Sequence, residues 1–136
     1  MESSQEYQEN LIKFQYFKEQ LDMFQGQLEI VNASLVSVLN TKKTVENIKA
    51  GVNPGDEILI PIGGRVNIRA TIKETDKILL AVTQDVIIEK DLDGTIDFLD
   101  KIIEQHNKQI EFLRTQIQTI NMNLQIISQN IQRDYT

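Results

Sequence analysis

The sequence has no cysteine and no tryptophan, one histidine, two prolines and six glycines among its 136 residues. Lacking cysteine, it has no disulfides, no thiolate metal sites and no cysteine nucleophile, a composition that suits a reducing compartment. It is also short of positive charge. Fourteen Lys and Arg face twenty Asp and Glu, giving a formal net charge of −6 and a pI of about 4.8, which argues against a general affinity for nucleic acid. No apolar run approaches the eighteen or so residues a membrane span needs. The first residues, from Met1 to Tyr7, lack the basic and apolar regions of a secretory signal. The expectation is a cytoplasmic protein with no nucleic-acid and no membrane partner. Phosphate-cradling glycine patterns are missing, and no nucleophile–base or paired-carboxylate arrangement falls in a predicted pocket. The chain is therefore expected not to be an enzyme and to use neither cofactor nor metal.

What the sequence does contain is heptads on both sides of a β-rich block. Tyr7, Phe14, Leu21, Leu28 and Leu35 fall seven residues apart, as do Phe17, Phe24, Val31, Val38 and Val45. Taken as a and d positions they form a continuous coiled-coil seam. Asn10 at d and Lys42 at a are polar. Such residues either fix register or sit where the seam frays or only a stem is covered. This first helix is expected over residues 2–50, because Asn53-Pro54-Gly55 cannot continue it. The second is expected over residues 91–134. It carries Ile96, Ile103, Ile110, Ile117, Leu124 and Ile131 at a and Leu99, His106, Leu113, Ile120 and Ile127 at d. Asp91 or Asp93 is the expected N-cap, with Gly94 weakening the first turn.

An antiparallel pairing whose residue numbers sum to 141 sets Val38 against Ile103, Val31 against Ile110 and Leu28 against Leu113, while Leu35 meets His106. Sums of 134 and 148 satisfy the same period. A hairpin within one chain is the simplest arrangement. His106 is expected to be a seam residue rather than a zinc ligand, since no second histidine or cysteine is available, and it could make the coil pH-sensitive.

Residues 56–90 form the middle block, read as two β-hairpins and treated as one four-stranded sheet. Gly63-Gly64 between apolar runs is a hairpin turn, and further turns are expected near Thr75 and near Gln84-Asp85. Strand two alternates, with Val66, Ile68, Ala70 and Ile72 on one face and Arg65, Asn67, Arg69 and Thr71 on the other, predicting one buried and one wet face. The remaining strands are apolar on both faces, and Pro61 marks an edge or irregularity. So little chain cannot cover such a sheet. An obligate oligomer is therefore expected, joined through Ile58, Leu59, Ile60, Ile62, Val66, Ile68, Ile78, Leu80, Val86 and Ile88.

Paired helices would bring both chain ends together, and apolar residues there exceed what a seam needs. Leu11, Ile12 and Tyr16 are extra on the first helix, Met122 and Ile126 on the second, with Tyr135 beyond. No charged residue occurs in residues 115–132. Such an end suits weak contact with many partners; a frayed coil end rich in Gln and Asn would read the same way.

The arrangement resembles the α-type subunit of prefoldin. The resemblance rests on Glu57-Ile-Leu-Ile-Pro-Ile-Gly63, Val66-Asn-Ile-Arg-Ala-Thr-Ile72, Thr75-Asp-Lys-Ile-Leu-Leu80, Val86-Ile-Ile-Glu-Lys90 and Asp97-Phe-Leu-Asp-Lys101. The chain departs from the family pattern at residues 81–85, where a Gly-x-Gly turn is common. The resemblance implies an α+β chain, a long antiparallel coiled-coil helical hairpin with two central β-hairpins that build an oligomeric β-barrel platform. It further implies a hexamer of two α-type and four β-type prefoldin subunits. That hexamer would capture unfolded client proteins at the coil tips without ATP and deliver them to a group II chaperonin. By position, Tyr7, Leu11, Ile12, Phe14, Tyr16, Phe17, Ile127 and Ile131 are the candidates for client contact. A filament-forming relative and an adaptor for a single partner are the alternatives.

Overall fold

The computed structural model of the chain describes residues 2–135; the side chains of Glu2, Ser3 and Tyr135 lie outside the described residues. Helix α1 (Glu2–Gly51) is followed by strands β1 (Glu57–Gly63), β2 (Val66–Thr71), β3 (Lys77–Ala81) and β4 (Ile87–Asp91), then by helix α2 (Leu92–Tyr135). Residues 1–35 with 105–136 make one compact unit and residues 36–104 a second.

In the first unit α1 and α2 run antiparallel, because low numbers on one meet high numbers on the other. The amide of Asn10 donates to Asp134 at 3.4 Å, and Ser34 Oγ shares a hydrogen bond of 2.8 Å with His106 Nε2. Val31, Ile110 and Leu113 form the core, with Phe24, Leu28 and Leu35 packed against it. Leu113 is only 2% exposed. Every expected seam position on both helices is buried or half-buried, His106 and Asn10 included. Heptad spacing explains this directly, since a and d positions return to one face at each second turn.

The second unit repeats the pattern around Val45 and Leu99, both buried. Lys42 occupies its a position by covering its stem and turning its ammonium outward, 2.6 Å from Asp100 and 3.7 Å from Glu46. Lys49 pairs with Asp93. These two pairs and the two polar contacts of the first unit all lie closer to a register summing to 141 than to 134 or 148.

Helix α1 ends at Gly51, and a turn follows in which Pro54 precedes Gly55 at φ 93°. Asp56 N donates to Asn53 O at 3.1 Å, so Gly55 holds the place where a type II turn requires positive φ. Helix α2 starts at Leu92, one residue inside the expected range, and Asp91, one of the two expected N-caps, is its cap. The Asp91 carboxylate accepts from Gly94 N at 2.7 Å, and its carbonyl accepts from the hydroxyl of Thr95, which is buried. Gly94 has a use here that the helix-propensity reading misses. A Cβ at that position would come within 2.6 Å of Asp91 Oδ1, so the glycine leaves room for the cap.

The four strands do not form one sheet. Among the described residues β1 pairs only with β2 and β3 only with β4, in two separate antiparallel hairpins. The first has Ile60 opposite Ile68 and Ile58 opposite Ala70, with a shift of register between Pro61 and Gly63. This is the irregularity expected from a residue that cannot donate a ladder bond. The second has Leu80 opposite Ile88 and Leu79 opposite Glu89. Its turn contains no glycine and no residue with positive φ. Instead, the Thr83 hydroxyl accepts from Asp85 N and Val86 N at 3.3 and 3.1 Å, and Val82 N closes onto Val86 O at 2.9 Å. A side chain thus does the work of the missing left-handed backbone.

Candidate functional site

Two surfaces stand out, one in each unit. In the first, an open groove of about 600 Å³ lies between the helices near the chain ends. Asn10, Ile12, Lys13, Tyr16 and Phe17 line it from α1, and Asn123, Ile126, Ile127 and Asn130 from α2. Ile12 is 71% exposed, and Tyr16, Ile126 and Met122 are also exposed. The Tyr16 and Phe17 rings meet edge to face with centroids 5.6 Å apart.

The eight residues singled out from sequence divide on inspection. Ile12 and Tyr16 present open apolar surface to the groove, with Phe17 half-buried and Ile127 buried beneath them. Leu11 is exposed but does not line the groove, and Tyr7, Phe14 and Ile131 are half-buried in the seam. Ile126 and Met122 were absent from that set although both lie off the seam. The signal was available, because an apolar residue outside a and d has no coil partner to cover it.

In the second unit both hairpins expose apolar side chains. Among the residues expected at an assembly interface, Leu59, Ile60, Ile62, Val66, Ile68, Val86 and Ile88 are exposed, and Ile58, Ile78 and Leu80 half-covered. The buried face predicted for β2 is therefore not buried within this chain. Two further strand residues, on runs read as apolar on both faces, stand outside that expected set. Leu79 is 73% and Ile87 65% exposed, and both lie on the face of the second hairpin opposite Ile78, Leu80 and Ile88.

Electrostatics mark the base of the coil rather than either surface. The hydrogen bond to Asp100 raises the pKa of Lys42 above its ordinary 10.5, helped by the nearby charges and opposed by partial desolvation. Asp93 raises that of Lys49 in the same way. Among the described residues no group of three or more His, Asp or Glu side chains could hold a metal ion, and no helix is long and apolar enough to cross a membrane.

The prefoldin family model, described as prefoldin subunit, matches residues 17–136. The chain belongs to the prefoldin family. Curated relatives place it among the α-type subunits. It is 31% identical over 105 residues to prefoldin subunit alpha 1 of Methanocaldococcus jannaschii, covering 77% of this chain and 70% of that one. It is 28% identical over 94 residues to prefoldin subunit alpha of Methanobrevibacter smithii, covering 69% of this chain and 63% of the relative. The Thermofilum pendens prefoldin subunit alpha is 31% identical over 81 residues, covering 60% and 62%. The aligned part thus spans somewhat under two thirds of these last two relatives. Among solved structures, filamentous prefoldin from Methanocaldococcus jannaschii superposes with a TM-score of 0.72 over 84% of this chain and 93% of that one. At 14% identity this likeness bears on the fold alone. The two long helices and paired hairpins are thus a prefoldin fold.

Proposed function

We propose that this α-type prefoldin subunit is part of an ATP-independent cochaperone that captures unfolded polypeptides at its coil tips and delivers them to a group II chaperonin. The observation that carries the reading is the groove near the chain ends. There Ile12, Tyr16 and Ile126 leave apolar surface uncovered beside a stretch of α2 without charge. A surface of this kind holds apolar segments weakly and without demanding a fixed sequence. Several subunits binding one chain would multiply those weak contacts through effective concentration.

The hairpins supply the means of assembly in this reading. Their exposed faces join other prefoldin subunits, with two α-type and four β-type subunits forming a hexamer around a β-barrel platform. In this reading the work is binding and release, in the cytoplasm, with neither enzymatic chemistry nor a cofactor.

The test is a triple variant, Ile12→Ser with Tyr16→Ser and Ile126→Ser, co-expressed with a β-type subunit. The oligomer mass should be unchanged while suppression of client aggregation is lost. Full suppression by the variant would overturn the tip assignment. A filament or a lone chain in place of a hexamer would overturn the stated assembly.

A further inference from the structure

Lys13, at a g position, stands on the groove's flank near the chain ends, but farther along the first unit that flank carries no charge. From Tyr16 to Ser34 on α1 the charged residues are Lys18, Glu19, Asp22 and Glu29, at heptad positions e, f and b. From Asn107 to Asn130 on α2 they are Lys108, Glu111 and Arg114, again at f, b and e. None falls at c or g, so the flank built from those positions is neutral on both helices.

That flank carries an ordered set of apolar residues. Tyr16, Met23 and Ile30 occupy successive c positions of α1, all exposed, and Ile126 and Phe112 occupy c positions of α2. The register sets Tyr16 level with Ile126, as their shared groove confirms, and by the same offset Ile30 level with Phe112. Ile30 is 71% and Phe112 57% exposed. Between these walls run Gln20, Gln116, Asn123 and Asn130, half-buried at g positions. Among the described residues their amides make no side-chain hydrogen bond within the chain.

We infer that the client groove does not stop near the chain ends but continues along this neutral flank to Ile30 and Phe112, where it takes an extended, uncharged polypeptide segment. This rests on the proposed function and specifies its substrate. Free amides carry both donors and acceptors, which suit the backbone of an extended chain. A charged client residue would lose water there without gaining a partner.

Helical rise puts Tyr16 and Ile30 about 21 Å apart, with Met23 midway. An extended chain covers that distance in about six or seven residues, with an apolar anchor about every third. A second copy of the coil is a poor occupant. A strip about 21 Å long and about 10 Å wide offers roughly 200 Å², against the 800 Å² or so per partner of a stable interface.

The experiment uses the full chain in its assembled oligomer and fluorescence anisotropy of labelled peptides. One peptide has ten uncharged residues with Leu at every third position, and another is its five-residue half. Ile30→Ser with Phe112→Ser should weaken the longer peptide about tenfold, corresponding to partial burial of two apolar side chains, and leave the shorter one unchanged. Ile12→Ser with Tyr16→Ser should weaken both. Equal binding of the longer peptide by wild type and the Ile30/Phe112 variant would overturn the extended groove while leaving the tip assignment standing. So would undiminished binding after a Lys-Glu pair is placed at the peptide's centre, or a change of oligomer mass in that variant. Failure of the Ile12/Tyr16 variant to weaken either peptide would instead sink the tip assignment itself.

Discussion

Ser34 on α1 and His106 on α2 meet across the coil at 2.8 Å, Oγ to Nε2. The only histidine of the chain is thus a half-buried seam residue whose polar edge is satisfied from the flank. Ser34→Ala should cost about 1 kcal/mol, the net worth of one such bond. His106→Leu should raise stability by about 1 kcal/mol, since it extends the apolar seam opposite Leu35 and leaves an exposed hydroxyl that water can satisfy. Chemical denaturation of the two single variants and the double variant checks this. In the His106→Leu background Ser34→Ala should have no further effect.

The base of the coil should respond to alkaline pH. Lys42 has its pKa raised chiefly by the hydrogen bond to Asp100. A raised folded pKa means the stabilisation is complete below the unfolded value of 10.5 and disappears as pH climbs through the folded value. Thermal melts from about pH 8 to about pH 12 should therefore fall more steeply for wild type than for Lys42→Met. Parallel curves would mean the ion pair contributes nothing in solution.

Gly94 offers a test in which the usual rule should fail. Glycine to alanine inside a helix ordinarily gains about 1 kcal/mol. Here the new Cβ would press on Asp91 Oδ1, and displacing that carboxylate forfeits an N-cap of similar worth. Gly94→Ala should bring no gain in melting temperature, whereas Asp91→Ala should cost about 1 kcal/mol. If Gly94→Ala proves clearly stabilising, the cap is not the reason for the glycine.

Much of this fold was legible because heptads state their own geometry. Seven-residue spacing from Tyr7 to Val45 and from Ile96 to Ile131 located both buried faces, and Pro61 announced the irregularity in β1. Other features lay beyond one-dimensional pattern. The turn after β3 depends on a Thr83 hydroxyl accepting two backbone bonds, and threonine is common in strands as well as turns. Leu79 and Ile87 were passed over because a short apolar run does not say which face needs cover. The neutral flank appears only when both helices are set in register, since its two walls come from opposite ends of the sequence.

The division between seam and groove can be read from paired substitutions. Leu113 is buried in the core of the first unit, so Leu113→Ala should cost about 2–5 kcal/mol. Ile12 is largely exposed, so Ile12→Ala should change stability by less than about 0.5 kcal/mol. Denaturation midpoints of the two variants make the comparison. Equal losses would mean that Ile12 packs against the coil, which would count against the proposed client contact there.

The second hairpin separates folding from assembly most sharply. Leu79 and Ile87 project from one face, while Ile78, Leu80 and Ile88 occupy the other. Two strands cannot cover both of their own faces, and among the described residues nothing else covers Leu79 or Ile87. Replacing both with serine should leave the helical melt of the chain almost unchanged, because neither side chain is buried in it. Assembly with other prefoldin subunits should weaken about a hundredfold or more if both become buried there, from roughly 1.5–3 kcal/mol per side chain. Mass measurement over a dilution series of the co-expressed complex reads the difference. Unchanged assembly would assign subunit contact to the Ile78, Leu80 and Ile88 face alone and leave the opposite face free for another partner.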